Sequence, residues 1–508
     1  MMLVMKWFER ESDIEILRSK ASLVQRENDV LHRKLVELKE RLQTLEGSAA
    51  SSLQQELDLL AEQLRAQRHR EFAQSSERRG QVKPDKERAP QTGHGPTEQP
   101  NLPIEELEHP IEKLDDCPLC GETVELWTGQ TEDSEEVTVI ERKFVVHKHK
   151  RHKARCKCGG HVQTAPGPNR LISGGRYSMA FALAVALDKY LKHMPLARQE
   201  RSMADRGLVV TRQTLWDQLF ALSRLFVATY DALREHVLGA DVIGADETTW
   251  RMLTGKKKWW VWAVGQPDGI HYTIASSRSH KVAGQVMGKF AGIAMVDGYV
   301  AYGTLQRARK GKGLATFTLV ACWAHVRRKY VHCEADYPEA TEVIGLIGEL
   351  FRIDREVAET DWPSDAARLE ELGRRRATES KAVLAKIRTW RKEVRAVPRS
   401  SLDRAVNYMD DLWTRLVVFA GDARVPLTNN LLERGMRGPA IGRKNHYGSK
   451  SLRGTQVAAV MYSLIETCKL LGVSSEQYLT TLAERALVNG EDFVLLPHEF
   501  KAELAAQV

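Results

Sequence analysis

Apolar residues between positions 12 and 46 recur at alternating steps of three and four, which places them along one seam of a helix. The seam consists of Ile14, Leu17, Ala21, Val24, Asn28, Leu31, Leu35, Leu38, Leu42 and Leu45. Asn28 falls at an a position, where one polar residue fixes register and strand number. The pattern predicts a coiled coil over residues 9–72 through which the chain self-associates. A single amphipathic helix packed within the chain is the alternative.

A second pattern, short β-branched runs alternating with helical periodicity, occupies residues 239–335. The predicted strands are Val242–Trp250, Lys258–Val264, Ile270–Ala275, Gly292–Val296 and Phe317–Ala321, and the predicted helices include His280–Phe290 and Cys322–Val331. Three strands, a helix, a strand, a helix and a strand is the order of a ribonuclease H-like fold. In that fold the first strand is central and the strand after the meander lies beside it.

Helical periodicity dominates the regions on either side. Residues 172–238 predict a helix-turn-helix of Pro195–Arg206 and Thr211–Leu222, with Gly207 as C-cap and Thr211 as N-cap. Arg212 and Gln213 would then begin a DNA-recognition helix, although helical hairpins that bind no DNA are also common. Residues 336–421 predict a helical insertion with an exposed run at residues 374–376. Residues 451–508 predict C-terminal helices, starting with an amphipathic helix over Ala458–Leu471.

Chain length, composition and charge indicate the number of domains and the cellular compartment of the protein. A chain of 508 residues is too long for one core, so three or more domains are expected. Residues 73–108 are rich in Pro, Gln, Arg and Glu and predict a disordered linker. The net charge of +8 favours a polyanionic partner. Neither a membrane span nor a secretion signal is expected, and most of the seven cysteines stand in close pairs, which together predict a cytoplasmic protein.

The cysteine pairs predict a small zinc-binding β module over residues 109–168. Cys117 and Cys120 flank a turn, whereas Cys156 and Cys158 are one residue closer than the usual spacing. His161 is a substitute ligand if the second pair cannot supply both sulfurs, and Val137–Val146 predicts a hairpin strand between the pairs. Free cysteines in a small β domain are the alternative.

Acidic residues at predicted strand ends are the candidate catalytic groups. Asp246 follows an apolar run, Asp297 ends another, and the predicted fold would bring them side by side. Glu433 has two interpretations. It fits a capping box with Asn430 as N-cap, and it also fits a metal-ligating carboxylate beside a phosphate path. The basic residues expected to hold phosphates are Lys256, Lys257, Lys258, Arg434, Arg437, Arg443 and Lys444.

Four motifs in order carry a family resemblance: DETTW from Asp246, VDGYVAY, CWAHVRRKY from Cys322, and NNLLERGMRGPAIGRKN. Together they resemble the bacterial insertion-sequence 66 family of DDE transposases over nearly the whole chain. The resemblance implies a ribonuclease H-like core over residues 239–335 and 422–450, interrupted by the helical insertion. It places the acidic triad on Asp246, Asp297 and Glu433.

The fold class expected from these patterns is multidomain α+β, with a ribonuclease H-like α/β core preceded by a coiled coil and a zinc module. The expected function is a DNA transposase that cleaves element ends and joins 3′-hydroxyl ends to target DNA, using two Mg²⁺ or Mn²⁺ ions. A ribonuclease H-like nuclease without joining activity, or a zinc-containing DNA-binding regulator with a decayed core, are the alternatives. The resemblance also implies accessory proteins encoded by the element. It includes a Cys322-x-x-His325 pattern, for which a buried thiol and a helix-capping or phosphate-facing imidazole are the expectations.

Overall fold

The computed structural model describes residues 33, 36–37, 143–155, 162–255 and 258–506. The predicted linker, the four paired cysteines, His161, Lys256 and Lys257 lie outside the described residues, as does all of the predicted coiled coil except residues 33, 36 and 37, which are helical. The chain divides into two units, of which the smaller spans residues 78–146. Of that unit residues 143–146 are described and carry no regular secondary structure, so the strand predicted over Val137–Val146 is wrong for these four residues.

The larger unit begins with a small hairpin and a group of helices. Strands β1 (Lys153–Arg155) and β2 (Val162–Thr164) pair antiparallel on either side of the segment that carries the second cysteine pair. Four helices follow: α1 (Met179–Tyr190), α2 (Leu196–Ala204), α3 (Arg212–Leu225) and α4 (Val227–Leu238). The predicted N-cap is confirmed, because Thr211 Oγ1 accepts a hydrogen bond from the Thr214 N–H at 3.2 Å. Gly207 provides the left-handed turn between α2 and α3 with a φ of 80°.

A five-stranded sheet forms the centre of the unit, in the order β5-β4-β3-β6-β7. Its strands are β3 (Val242–Arg251), β4 (Lys258–Gln266), β5 (Gly269–Ala275), β6 (Ile293–Val296) and β7 (Thr318–Ala321). β3 pairs antiparallel with β4 and parallel with β6, and β7 is parallel to β6. At one edge of the sheet the carboxyl ends of β6 and β7 therefore lie side by side next to the middle of β3, which continues beyond them.

The helices between and after these strands are α5 (His280–Met287), α6 (Val300–Gly311) and α7 (Trp323–Cys333). The insertion follows as α8 (Ala340–Ala358), α9 (Asp365–Arg375), a π-helical turn (Arg376–Ser380), α10 (Lys381–Glu393), α11 (Ser401–Leu416) and a 3₁₀ turn (Val418–Ala420). The prediction that residues 374–376 are all exposed is wrong for Arg376, which is 2% exposed, and for Arg375, whose side chain is 16% exposed. The π turn begins at this residue, and its wider turn alters the positions of successive side chains around the helix, so adjacent arginines have different surroundings.

The chain returns to the sheet through α12 (Asn430–Gly435) and α13 (Arg437–His446), then continues as α14 (Leu452–Leu471), α15 (Ser475–Asn489) and α16 (Pro497–Ala505). The prediction of an amphipathic helix at Ala458–Leu471 is wrong, because every residue of α14 from 457 to 468 is buried. This helix covers the edge strand β5: Thr467 Oγ1 and Ser463 Oγ accept hydrogen bonds from the N–H groups of Ile270 and Tyr272. The exposed backbone of an edge strand is thereby satisfied. No helix among the described residues is long and apolar enough to cross a bilayer.

Candidate active site

The register of the parallel strands aligns two of the candidate acids. Gly244 of β3 lies opposite Met295 of β6, so the same register two residues further places Asp246 beside Asp297. Val296 lies opposite Ala321 of β7, and one residue further the register pairs Asp297 with Cys322. Side chains distant along the chain meet here because the parallel strands β6 and β7 end beside the middle of β3.

Asp246 is in an environment that disfavours its negative charge. Burial is the main cause, and the nearby carboxylates of Asp297, Glu247 and Glu433 add to it, so that the pKa of Asp246 rises to about 7. The N–H of Glu247 donates to Asp246 Oδ1 at 2.7 Å and opposes this shift in part. Like charges gathered in a partly buried site need a compensating cation.

Asp297 is held by the turn that follows β6. The Tyr299 N–H donates to Asp297 Oδ1 at 2.9 Å, and the Tyr408 hydroxyl of the insertion donates to the Asp297 carbonyl at 2.7 Å. Gly298, which lies between Asp297 and Tyr299, has a φ of 90°, a conformation that is strained for residues other than glycine. The turn therefore fixes the carboxylate at the sheet edge.

Glu433 comes to the site because α12 packs closely on the sheet. Gly244 and Gly265 lie opposite each other on β3 and β4 and leave room for Asn429 and Leu432. The Asn429 amide donates to the carbonyl of Ala245 at 3.3 Å. This contact anchors the start of the helix one residue before Asp246.

The Glu433 carboxylate faces α7. Oε1 lies 3.7 Å from His325 Nε2 and Oε2 lies 3.8 Å from Arg328 Nη2, both too long for hydrogen bonds. Glu433 Oε1 is buried and accepts no hydrogen bond from any described residue. The capping-box interpretation is wrong, because the N-cap is Asn429, which makes no side-chain capping bond, and Glu433 is therefore the fourth residue of the helix rather than the third.

Cys322 and His325 lie beside Glu433, and their donor atoms and a carboxylate oxygen of Glu433 are all within 4.8 Å of one another. Cys322 is the buried N-cap residue of α7, and its sulfur accepts from the Asn429 N–H at 3.4 Å. Burial raises the pKa of this thiol. The expectation of a buried thiol is confirmed, and His325 faces the third acid.

A second group of potential metal ligands, outside this site, consists of His236, Asp268 and His498, whose donor atoms also lie within 4.8 Å of one another. Asp268 lies in the β4–β5 turn, five residues beyond Ala263, the β4 residue that pairs with Asp246. His236 Nε2 and Asp268 Oδ1 are 2.9 Å apart.

The basic residues predicted to contact DNA have different positions. Arg434, Arg437 and Lys444 are exposed. Arg443 instead donates to Thr248 Oγ1 at 2.9 Å and to the carbonyl of Thr249, so it anchors α13 on β3. Lys258 is exposed, with its ammonium 5.0 Å from the centre of the Trp260 ring.

The two residues predicted to begin a recognition helix are both exposed on the first turn of α3. Arg212 forms an ion pair with Glu200 of α2 at 3.2 Å, and Gln213 donates to Asp217 at 2.8 Å.

Three further residues stabilise the sheet edge that carries the candidate acids, although no role was predicted for them from the sequence: Glu247, Arg278 and Asn429. Glu247 is buried, forms an ion pair with Arg278, and accepts a hydrogen bond from the Tyr302 hydroxyl at 2.9 Å. An acid at two successive strand positions is a usable signal, because alternate side chains face opposite sides of a sheet. Arg278 and Asn429 carry no such signal, since their partners are remote in sequence.

Comparison with known proteins identifies the family. Residues 174–457 match the model of the transposase IS66 family. The uncharacterized protein y4jD of Sinorhizobium fredii is 29% identical over 400 residues, covering 75% of this chain and 77% of that protein. The uncharacterized protein y4qI of the same organism is 30% identical over 391 residues, covering 73% of this chain and 71% of that protein. The chain thus belongs to the IS66 family of transposases.

Proposed function

We propose that this transposase is of the DDE type, cleaving element ends and joining the freed 3′-hydroxyl ends to target DNA with Asp246, Asp297 and Glu433. The observation that carries the proposal is the convergence of three acids remote in sequence. Asp246 and Asp297 lie in register on adjacent strands, and the charge of Glu433 contributes to the raised pKa of Asp246. A site that only needed stability would pair these charges rather than collect them.

The donor set fits divalent cations. Carboxylate oxygens are the preferred ligands of Mg²⁺ and Mn²⁺, and Glu433 Oε1 is buried without a hydrogen-bond donor among the described residues. We infer that the three acids hold two such ions. When bound, these ions supply the positive charge that stabilises the attacking and leaving oxygens of an in-line phosphoryl displacement.

The protein's own contribution is to fix the three carboxylates before DNA arrives. β3 and β6 hold Asp246 and Asp297 through their backbone pairing, and the Tyr299 N–H orients the Asp297 carboxylate. Asn429 secures α12 against the sheet, so that Glu433 completes the set. Preorganised charged groups of this kind avoid reorganisation during the reaction.

The strand order supports a ribonuclease H-like assignment for residues 239–335 and 422–450. Three antiparallel strands are followed by two parallel strands, and the first strand of the series is central. The acids lie on this central strand, directly after its parallel neighbour, and on a helix that follows the insertion. Helices α8 to α11 separate the second acid from the third in sequence.

The test uses a duplex that carries the end of the element encoding this chain, both intact and already cleaved. Asp297→Asn should bind both duplexes as tightly as the wild type but cleave the first and join the second at least ~1000-fold more slowly, a barrier increase of about 4 kcal/mol. Asp365→Asn, an exposed acid of the insertion with its side chain 88% exposed, is the matched control and should retain both activities. Wild type that cleaves but never joins would support the nuclease alternative. Joining by Asp297→Asn at the wild-type rate would refute the proposed triad.

We further propose that residues 9–72 drive self-association and that Cys117, Cys120, Cys156 and Cys158 hold a structural Zn²⁺. Asn28→Leu should change the oligomeric state measured by sedimentation, because the seam loses its polar residue. Cys117→Ser with Cys120→Ser should lower the zinc content by one equivalent per chain. Unchanged values would contradict each assignment.

A further inference from the structure

Glu247, next to the first acid of the triad, is a buried carboxylate with a full set of partners. Its side chain is 0% exposed, and one oxygen accepts from Arg278 Nε at 2.7 Å and Nη2 at 2.5 Å. The other oxygen accepts from the Tyr302 hydroxyl at 2.9 Å. Arg278 is thus held in one orientation by a fixed, buried charge.

Aromatic rings hold the same guanidinium from its faces. The Arg278 Cζ atom lies 3.6 Å from the centre of the Tyr299 ring and 4.9 Å from that of Trp260. The Tyr299 hydroxyl also donates to the Arg278 carbonyl at 2.8 Å. Cation–π contacts of this kind restrict the side chain while leaving its remaining N–H groups available.

Arg278 lies at the edge where the acids gather. Tyr299, which stacks on it, donates its backbone N–H to Asp297 Oδ1 at 2.9 Å. Glu247, which binds it, is the next residue of β3 after Asp246 and faces the other side of the sheet, so the contact with the acids runs through Tyr299. The ammonium of Lys258, 5.0 Å from the Trp260 ring, adds a second positive charge on the same aromatic side chain.

Arg376, an arginine with a purely structural role in pairing a carboxylate, differs from Arg278 in its exposure and in its hydrogen bonds. Arg376 is 2% exposed, and its Nε, Nη1 and Nη2 atoms all donate to Asp354 or to backbone carbonyls. The Arg278 side chain is 32% exposed, and its Nη1 donates to no acceptor among the described residues. One edge of the guanidinium is committed to Glu247, and the outer edge is left to solvent.

We propose that Arg278 binds a DNA phosphate next to the three carboxylates and that Glu247 is a positioning residue which orients it. The inference rests on the proposed function, because it assigns this guanidinium to the same DNA substrate. The planar fork of arginine suits the two roles, since it presents parallel N–H groups on separate edges. The contacted phosphate lies on the strand whose end is held by Asp246 and Asp297.

The test measures binding without cleavage, with Ca²⁺ present and the full chain on the cleaved element-end duplex. Methylphosphonate replaces one phosphate at a time near the 3′ end, removing its charge. Arg278→Gln combined with Glu247→Gln removes the cation together with the buried anion. Arg485→Gln with Glu503→Gln is the matched control, because this ion pair at 2.9 Å joins α15 and α16 away from the sheet edge.

For the wild type, one methylphosphonate position should weaken binding on the order of tenfold. The Arg278 and Glu247 double variant should bind the unmodified duplex more weakly by a similar factor. Methylphosphonate at the same position should not weaken the binding of this variant any further. Its slope of log K against log salt should be less steep by about 0.9, the value for one phosphate contact. The control variant should match the wild type. If the double variant does not fold, Arg278→Lys replaces it in the test. This variant keeps the positive charge and should keep the wild-type salt slope, but methylphosphonate at that position should weaken its binding much less than it weakens that of the wild type.

An equal methylphosphonate penalty in wild type and variant at every position would overturn the inference. If the wild type joins ends but shows no such coupling, the phosphate site is wrong and the proposed function stands. If the coupling is present but the wild type never joins ends with Mg²⁺, the proposed function is wrong and the phosphate site stands. A wild type that does not bind the duplex contradicts both.

Discussion

Two clusters of charged side chains among the described residues, one in the insertion and one at the sheet edge, are arranged in opposite ways. In the insertion, Arg376 of the π turn forms a bidentate ion pair with Asp354, at 2.9 and 2.5 Å, and its remaining nitrogen donates to carbonyls that include that of Val425 at 2.9 Å. At the sheet edge, Asp246, Asp297 and Glu433 lie near one another, and the pKa of Asp246 rises to about 7 because of burial and its acidic neighbours. The first cluster is neutral and fully bonded, whereas the second has an excess of negative charge.

This difference separates structural charge from functional charge. Folding favours pairs that satisfy each other, because an unpaired buried charge costs several kcal/mol. An excess of one sign stays in a folded protein when a ligand of the other sign compensates it. The insertion therefore uses charge to fix its own shape, whereas under the proposed function the sheet edge uses charge to bind ions and DNA.

The largest expected effect is on activity at the sheet edge. Glu433→Gln keeps the size of the side chain but removes the charge that completes the acidic set, so joining should fall at least ~1000-fold. The measurement is strand transfer of a cleaved element end, with DNA affinity measured in parallel. Glu359→Gln, an exposed glutamate at the end of α8, should leave the rate unchanged. A Glu433→Gln enzyme within tenfold of wild type would remove this residue from the account.

The insertion should respond in stability instead. Arg376→Met leaves Asp354 unpaired and several carbonyls without donors, so the free energy of unfolding should fall by about 3–5 kcal/mol. Arg374→Met, two residues away, removes an exposed pair with Glu371 and should cost less than about 1 kcal/mol. Urea denaturation of both variants gives the comparison. Equal losses would show that the two arginines have equivalent surroundings, contrary to the structure.

Removing a charge from the sheet edge should stabilise the protein when metal is absent. The Asp246 carboxyl has a pKa of about 7 when folded, against an ordinary value of 3.8, so between these values the folded chain keeps a proton that the unfolded chain has released. Wild-type stability is therefore lost as pH rises through this window, and Asp246→Asn escapes the loss. At about pH 8 in EDTA the variant should be more stable by ~1–3 kcal/mol. Below about pH 4 the two should be equal. Thermal unfolding across pH that shows a constant difference would contradict the assignment.

A smaller effect should follow from the packing that brings Glu433 to the sheet. A Cβ at Gly244 would overlap Asn429 Oδ1, so Gly244→Ala should displace α12, cost about 1–2 kcal/mol and slow joining by more than its stability loss explains. Gly345→Ala is the control, because a Cβ there meets no atom within 4 Å and alanine favours a helix by ~0.5–1 kcal/mol. The measurements are urea unfolding and strand transfer. Normal activity in Gly244→Ala would show that this close approach is not needed.

Sequence predicted much of the sheet and two of the acid positions. Strand periodicity located β3 to β7 within a few residues because their runs are apolar and β-branched. Asp297 follows the end of a strand as expected, whereas Asp246 lies in the middle of β3 rather than at its end. Glu433 was harder to interpret. Helix α12 starts at Asn430 rather than after it. This shift of one residue excludes the capping-box role of Glu433 and leaves its interpretation as a site residue.

Other features depended on tertiary contacts that local sequence does not encode. Three successive arginines look equivalent at residues 374–376, yet the π turn buries only Arg376. Helix α14 is covered on all sides by neighbouring elements, so its predicted polar face does not exist. Arg278 follows a strand with no recognisable motif, and its partners Glu247 and Tyr299 lie 31 and 21 residues away.

The most direct test of the central claim is the position of bound Mn²⁺, read from its anomalous scattering in crystals of the full chain grown with the ion and an element-end duplex. Two peaks are expected, each contacted by oxygens of the triad, with Asp246 and Asp297 on one side and Glu433 on the other. Crystals of Asp246→Asn should lose at least one peak. Peaks that contact none of these carboxylates, or a Glu433 side chain turned away from both ions, would contradict the claim.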